Sequence, residues 1–453
     1  MLSPPGSAPP ATAALVCGDE RIGHDDLWER VGRLAHGLAA KGIGPGDPVA
    51  LLLPHTPAFA ISFLALAQLG ATVVPLNPQF KRAELDFCFR DSGVREVISD
   101  VLEISRLIEA HPQLDPEPRF PDEVVLLAYS SGSTGRPKQV PRTNGQLWWE
   151  AERFVAATGL TAADTILCSI PMFHAYGLGC CLLAAIRSGA SLVILDAPQP
   201  FALARERALW MLEREQVTVF PAVPFIFRTL AEARTGADLS ALRLCFSAGN
   251  ALPRSTFHAF DRAFGVPIRQ LYGLTETGTV TVNAGDDPWA TVDSVGRPLP
   301  GIEVEVLDDA GKALAAGRIG EVAIRSPAMT RRFGSWFLTG DRGRLDETGR
   351  LFITGRRKLL IDVMGDKVDP IEVEDVLAVH PRVREVVVVG IPGEAEGEEL
   401  VKAVVVAEDG CGERELIRFC RERLANYKVP HLVEFRDVIP RNSLGKVLRK
   451  YLL

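Results

Sequence analysis

Basic residues are not in excess in this chain: Lys+Arg number 50 against 57 Asp+Glu, a net charge of −7. Sequence-independent binding to nucleic acid rests on a basic face that neutralises phosphates, so the charge balance argues against that class of partner. The eight cysteines contain no C-x-x-C pair. They lie mostly in apolar contexts, which suits reduced thiols in a cytoplasmic protein better than zinc or a disulfide framework. Met1–Ala14 is rich in Pro, Ala and Ser but has neither a basic leading region nor an apolar stretch, so it reads as a loose tail and not as a secretory leader. Thr56–Leu76 carries no charge, yet Pro57, Gln68, Gly70 and Pro75 interrupt it. A buried helix ending near Gly70 and a strand Ala71–Pro75 account for those breakers and for Val73-Val74, and a membrane span does not. Internal repeats are lacking as well.

What is present is a chain of 453 residues, 47% hydrophobic and 24% charged, long enough for roughly two to four domains around a large core. Val49–Leu53, Val94–Ile98, Val124–Tyr129, Thr165–Ser169, Ser191–Leu195, Val217–Phe220 and Leu242–Ser247 read as strands, separated by amphipathic stretches. That alternation is an α/β signature. After Asn283 the pattern shifts to short antiparallel strands, Val304–Leu307 and Glu321–Arg325, with turns at Gly296-Arg297-Pro298 and Asp308-Asp309-Ala310-Gly311. After Gly355 come a helix Ile371–Val379, strands Val383–Val389 and Val401–Ala407, a helix Glu413–Ala425 and a basic tail, enough for a small α+β domain. Glu394, Glu396, Glu398 and Glu399 between those strands suit a solvated loop.

The segment Ser130-Ser131-Gly132-Ser133-Thr134-Gly135-Arg136-Pro137-Lys138 follows an apolar strand. Its glycines let backbone N–H groups turn inward, its hydroxyls add donors and Lys138 adds a positive charge, the composition of a polyphosphate cradle. It is not a Walker loop, because no Gly-Lys-Ser/Thr opens a helix. Composition alone would also suit a surface loop; the place directly after a buried strand favours phosphate.

The segment resembles the phosphate loop of the adenylate-forming ANL superfamily, which includes acyl- and aryl-CoA synthetases, adenylation domains of nonribosomal peptide synthetases and firefly-type luciferases. Further motifs follow in that family's order. Ser247-Ala248-Gly249 resembles its adenine-side turn and Tyr272-Gly273-Leu274-Thr275-Glu276 its Y-G-x-T-E motif. Trp336-Phe337-Leu338-Thr339-Gly340-Asp341 resembles its W-x-x-T-G-D ribose motif, Gly355-Arg356-Arg357-Lys358 its interdomain hinge, and Pro440-Arg441-Asn442-Ser443-Leu444-Gly445-Lys446 the tail with its catalytic lysine.

The resemblance implies a large N-terminal domain, residues 1–355, of two α/β lobes plus a small β subdomain, and a small mobile α+β domain, residues 356–453, pivoting at Lys358. It implies ATP, Mg²⁺ and CoA, or a carrier-protein phosphopantetheine, as cofactors. Glu276 is then the Mg²⁺ ligand, as befits a hard carboxylate oxygen beside a triphosphate. Asp341 accepts from the ribose hydroxyls, Arg356 donates to the same sugar, and Gly365 leaves room for a pantetheine arm. Lys446 neutralises the charge where a carboxylate meets the α-phosphate, with Thr275 and His174 completing the catalytic set. Read alone, Glu276 would equally suit a helix cap, Asp341 or Arg356 a surface charge, and Lys446 a solvated tail.

Pro171-Met172-Phe173-His174-Ala175-Tyr176-Gly177 resembles the family's P-x-F-H motif at the carboxylate pocket. Amino-acid-activating relatives have an Asp after that Phe; His174 stands there in this chain, so an α-amino acid is disfavoured. Tyr176, Val223, Asn250, Ala251 and Val280 complete a largely uncharged pocket for an aryl or aliphatic acid. The implied reaction is acid + ATP + CoA to acyl-CoA + AMP + PPi through acyl-AMP. The alternatives are an acyl-AMP ligase that loads a carrier protein, a luciferase-like monooxygenase and a non-enzymatic binding relative. The chain departs from the family by trimming between Asp100 and Asp122 and between Pro327 and Gly334, and by Gln139 where relatives have Gly.

Overall fold

The computed structural model describes the chain outside residues 1–12, 113–122, 131–137, 197–200, 234–235, 286, 330–335, 357–360, 364–365, 394–398 and 442–446. Two compact units emerge: Met1–Glu303 with Ile324–Phe337, and Val304–Ala323 with Leu338–Leu453. This division groups the short antiparallel strands of the 300s with the C-terminal elements, whereas the motif order groups them with residues 1–355.

The first unit opens with β1 (Ala13–Cys17), β2 (Glu20–Gly23) and α1 (His24–Ala40). Then β3 (Pro48–Leu51), α2 (Pro57–Leu69), β4 (Thr72–Pro75), α3 (Arg82–Ser92), β5 (Glu96–Ile98) and α4 (Val101–Ala110) alternate. The uncharged stretch at Thr56 is therefore the buried helix and strand its breakers predict. Pro57 starts α2, where its missing N–H costs nothing, and nearly every side chain of that helix is buried. A hairpin follows, β6 (Val124–Ser130) and β7 (Lys138–Thr143), and then α5 (Asn144–Thr158), which Thr143 caps through a reciprocal box with Gln146. These strands form a five-stranded sheet in the order β5-β3-β4-β6-β7, parallel except for β7.

The second sheet takes β8 (Thr165–Cys168), β9 (Ser191–Ile194), β10 (Val219–Ala222), β11 (Leu244–Ser247), β12 (Ile268–Leu274), β13 (Gly278–Val282) and β14 (Arg297–Pro298). With β1 and β2 it is nine-stranded, ordered β14-β13-β12-β11-β10-β8-β9-β1-β2. From β8 the chain first adds β9 on one side and then β10, β11 and β12 on the other, all parallel. Such a reversal leaves a crevice at the carboxyl ends of the strands, where open α/β sheets bind ligands.

The second unit takes most of a four-stranded sheet of β15 (Glu303–Leu307), β16 (Gly320–Arg325), β17 (Phe337–Leu345) and β18 (Leu351–Arg356), whose residues Glu303, Ile324, Arg325 and Phe337 count with the first. After it come a small hairpin, Ile361–Val363 with Asp366–Val368, and a helix Pro370–Ala378. A three-stranded sheet of β-strands Val383–Pro392, Glu399–Ala407 and Leu432–Phe435 completes the unit with the helix Glu413–Arg421. The helix is shorter than its sequence pattern predicts, giving way to turns before Asn426. Val373, Leu377, Val388, Val401, Val405 and Leu416 form the core of this α+β part. All eight cysteines are unpaired, six of them buried. Among the described residues no helix is long and apolar enough to cross a membrane.

Candidate active site

The reversal in strand order gathers three of the sequence motifs at one edge of the nine-stranded sheet. The chain leaves β8 at Cys168 and runs through Pro171 to His174, which precedes a helical stretch over 175–188 with Leu178–Leu183 in π geometry. Tyr176 reaches from this stretch to the ends of two neighbouring strands, donating its phenol hydrogen toward Phe246 O at 2.9 Å and Ala222 O at 3.3 Å. Desolvation pushes the phenol's pKa well up, so it remains a donor. Gly177 is required for this approach: a Cβ there would stand 2.5 Å from the carbonyl oxygens of Ile170 and Pro171. The His174 ring packs against Phe173 with centroids 5.0 Å apart.

Beside Tyr176, β10 ends at Ala222 and leads into Val223, which is buried. β11 ends at Ser247, 1% exposed, and its hydroxyl finds no partner among the described residues. Ala248 is buried after it, while Gly249, Asn250 and Ala251 are exposed. β12 carries Tyr272 and Gly273 and turns through Thr275, Glu276 and Thr277 into β13, where Val280 is fully buried. Glu276 and Thr275 are partly exposed at that turn.

The turn is held from beneath by a residue that sequence reasoning missed. Glu150, on the buried stripe of α5 with Leu147, Ala151 and Phe154, accepts from the Thr279 N–H at 2.8 Å and the Thr279 hydroxyl at 3.2 Å through Oε1. Its Oε2 accepts from Arg142 of β7 at 2.8 Å, an ion pair with both side chains buried. Gly278, at φ +69°, lies so close that a Cβ would come within 2.2 Å of the Glu150 carboxylate. The signal was available: a glutamate at i+3 from Leu147 and one turn before Phe154 on the same helical face is out of place unless it is paired.

The phosphate-loop residues Ser131, Gly132, Ser133, Thr134 and Gly135 lie outside the described residues. Their flanks are register partners: Ser130 at the end of β6 faces Lys138 at the start of β7. Gln139, where the family resemblance leads one to expect Gly, fastens this hairpin to α3. Its amide donates to Asp91 O at 2.6 Å, and the neighbouring Tyr129 hydroxyl donates to the Asp91 carboxylate at 2.9 Å.

In the second unit, Asp341 of β17 and Arg356 of β18 are cross-strand partners. Arg356 Nε donates to Asp341 Oδ1 at 2.5 Å. Asp341 is buried, 4% exposed, and its own N–H donates to Thr339 Oγ1 at 3.0 Å. Lys358, Gly365 and Lys446 lie outside the described residues. Arg441 and Val447, on either side of the lysine segment, form an antiparallel bridge.

Residues 6–333 match the family model of the AMP-binding enzymes, and residues 372–446 that of their C-terminal domain. The chain belongs to the AMP-binding enzymes. Within this adenylate-forming superfamily it is similar to a feruloyl-CoA synthase of Amycolatopsis sp, at 33% identity over 97% of this chain and 95% of the relative. A 2-succinylbenzoate–CoA ligase of Geobacillus kaustophilus is also 33% identical, over 94% and 91% of the two chains. Among solved structures, an anthranilate CoA ligase in complex with anthranoyl-AMP superimposes with a TM-score of 0.88 at 28% identity, covering 98% of this chain and 94% of that one.

The residues of this AMP-binding enzyme fit a nucleotide. In the first unit the buried Ser247 hydroxyl at the end of β11 has no hydrogen-bond partner among the described residues, which suits a group that pairs with a ligand; in the second unit, taken by itself, the buried Asp341 carboxylate has acceptors of the kind sugar hydroxyls can use. They also fit a substrate-borne Mg²⁺. No group of three or more His, Cys, Asp or Glu forms a cage among the described residues; Mg²⁺ at a nucleotide characteristically takes one or two carboxylates, with phosphates and water filling the remainder. Glu276 at its partly exposed turn has the chemistry of such a carboxylate.

Proposed function

We propose that this enzyme joins an aryl or aliphatic carboxylic acid without an α-ammonium group to CoA. The reaction is ATP-dependent acid–thiol ligation through acyl-AMP: acid + ATP + CoA to acyl-CoA + AMP + PPi. The observation that carries the substrate class is the segment leaving β8. His174, not an acid, follows Phe173, and Tyr176 two positions on spends its hydroxyl on two backbone carbonyls, so neither residue supplies a carboxylate that could pair with an α-ammonium. An α-ammonium buried without a counter-charge costs several kcal/mol, about a hundredfold or more in kcat/KM.

In this proposal the functional domains are residues 1–355 and 356–453. Ser130–Lys138 hold the polyphosphate, Ser247–Gly249 and Tyr272-Gly273 the adenine side, and Asp341 with Arg356 the ribose. His174, Tyr176, Val223, Asn250, Ala251 and Val280 surround the acid. Glu276, supported by Thr275, would hold Mg²⁺, which when bound neutralises phosphate charge. Lys446 places its ammonium between the carboxylate and the α-phosphate, two anions that otherwise repel, and favours in-line attack. Rotation about Lys358 then withdraws Lys446 and brings Gly365 to the thiol. Eight unpaired cysteines make a cytoplasmic location part of the same proposal.

The test is pyrophosphate release from a panel of benzoate-like acids, octanoate-like acids and standard amino acids at equal concentration, with CoA and, in parallel, with a phosphopantetheinylated carrier protein. The expected result is acid-dependent release with acyl-CoA as product. Thioester formed on the carrier alone would make the enzyme a carrier-loading ligase, light emission with oxygen uptake would make it luciferase-like, and dominant release with an α-amino acid would overturn the substrate class.

A further inference from the structure

The buried ion pair Arg142–Glu150 stands at the junction of the elements that bear three motifs. Arg142 lies on β7, the strand leaving the phosphate-loop segment. Glu150 Oε1 holds Thr279, the second residue of β13, three positions after Glu276. Gly179, three residues beyond Tyr176, presses on the same carboxylate, where a Cβ would be 3.2 Å from Oε1. Its neighbour Cys180 touches the Thr279 hydroxyl at 3.4 Å. A buried ion pair is a poor source of stability, since an apolar pair of equal volume does as well or better. A carboxylate does supply acceptors for an amide, a hydroxyl and a guanidinium at once.

We infer that Glu150 is a positioning residue for adenylation: by accepting the Thr279 N–H it fixes the 275–277 turn and the Glu276 carboxylate, and by pairing with Arg142 it ties that turn to the strand that leaves the phosphate segment. The inference rests on the ligase reading for its kinetic part only. The turn connects Leu274 to Gly278, which are register partners at the end of the β12–β13 ladder, and Gly278 is the residue pressed on Glu150. Thr277, fully buried, closes the turn by donating its N–H to Leu274 O at 3.2 Å. The Thr279–Glu150 bond is the anchor that joins this hairpin end to α5.

Two double variants separate positioning from stability. Arg142→Met/Glu150→Gln removes the charges but keeps a carbonyl acceptor for Thr279, whereas Arg142→Met/Glu150→Met removes the acceptor at nearly equal volume. Both avoid an unpaired buried charge, and urea denaturation checks that both fold. The Met pair should need about tenfold more Mg²⁺ for half-maximal pyrophosphate release than the Gln pair, the effect of losing the acceptor that the Thr279 N–H and hydroxyl share, with the KM for the acid alike in the two. Hydrogen exchange of the peptide 272–282 should be about tenfold faster in the Met pair. Equal Mg²⁺ requirement and equal exchange in the two folded variants would overturn the assignment. Should the parent enzyme release no pyrophosphate with any acid, the ligase reading fails, and the exchange rates alone decide whether Glu150 pins the turn.

Discussion

Asp341 and Arg356 face one another across β17 and β18, and the guanidinium holds the buried carboxylate through a 2.5 Å hydrogen bond. The two residues expected to share a sugar therefore already share each other. The contact holds a buried carboxylate against a guanidinium on the exposed end of the neighbouring strand.

Asp341→Ala should raise the KM for ATP about tenfold to a hundredfold, the range for hydrogen bonds to a charged acceptor, while Arg356→Met raises it less. The Asp341 variant should also lose its preference for ATP over 3′-deoxy-ATP. Pyrophosphate exchange at varied nucleotide concentration measures both, and an unaltered preference would remove Asp341 from the ribose site.

Lys446→Ala should abolish acyl-AMP formation and leave thioester formation from supplied acyl-AMP largely intact, because in the proposed mechanism the ammonium serves only the first half-reaction. Lys358→Pro fixes a dihedral at the proposed pivot, so acyl-AMP should form and thioester turnover should stall. Rapid-quench assays of the separate half-reactions check both; equal loss in the two steps for Lys446→Ala would contradict its role.

Tyr176→Phe removes the hydrogen bonds to Ala222 O and Phe246 O. It should cost about 1 kcal/mol of stability and change the ranking of acids little. Tyr176→Ala should reorder acids of different length more than it alters the KM for ATP. A competition assay with the acid panel, alongside denaturation curves, distinguishes the two substitutions.

His55 is half-buried, donates Nε2–H to Cys168 O at 2.9 Å, and has its pKa pushed below the usual 6.5 mainly by desolvation. Unfolding therefore releases a group that binds a proton more readily, so stability is fully present above about pH 6.5 and falls as pH drops below it toward the folded-state value. His55→Gln should flatten that slope. Urea denaturation at a series of pH values between about 5 and 7.5 tests it; identical slopes in parent and variant would assign the acid sensitivity elsewhere.

Gly278→Ala should destabilise the protein by about 2–5 kcal/mol, combining strain at positive φ with a clash. The obstacle is the Glu150 carboxylate, which cannot swing aside because Arg142 and Thr279 hold it. Thermal and chemical denaturation give the value, and a loss under about 0.5 kcal/mol, the scale of an ordinary surface substitution, would mean the carboxylate yields.

The sequence by itself determined the α/β class, the buried helix at Pro57–Leu69, the strands β3 to β6 and β8 to β11 and the ordered motifs, because each is a local pattern of hydrophobic period, breaker or turn chemistry; β1, β2, β12, β13 and β14, which extend the nine-stranded sheet on both sides, were not read as strands. The hairpin strand Lys138–Thr143 escaped it, since Pro141 and Arg142 break the apolar pattern and only pairing with β6 makes that segment a strand. What only the tertiary structure decided was which side chains meet. Arg142 and Glu150 are eight positions apart and look like surface charges, yet they are buried together because Thr279, 129 positions on from Glu150, needs an acceptor where α5 passes beneath β13. Asp341 and Arg356 likewise became a pair only when β17 and β18 came into register. Contacts between residues distant in sequence are set by strand order and register, and no window of neighbouring residues contains them.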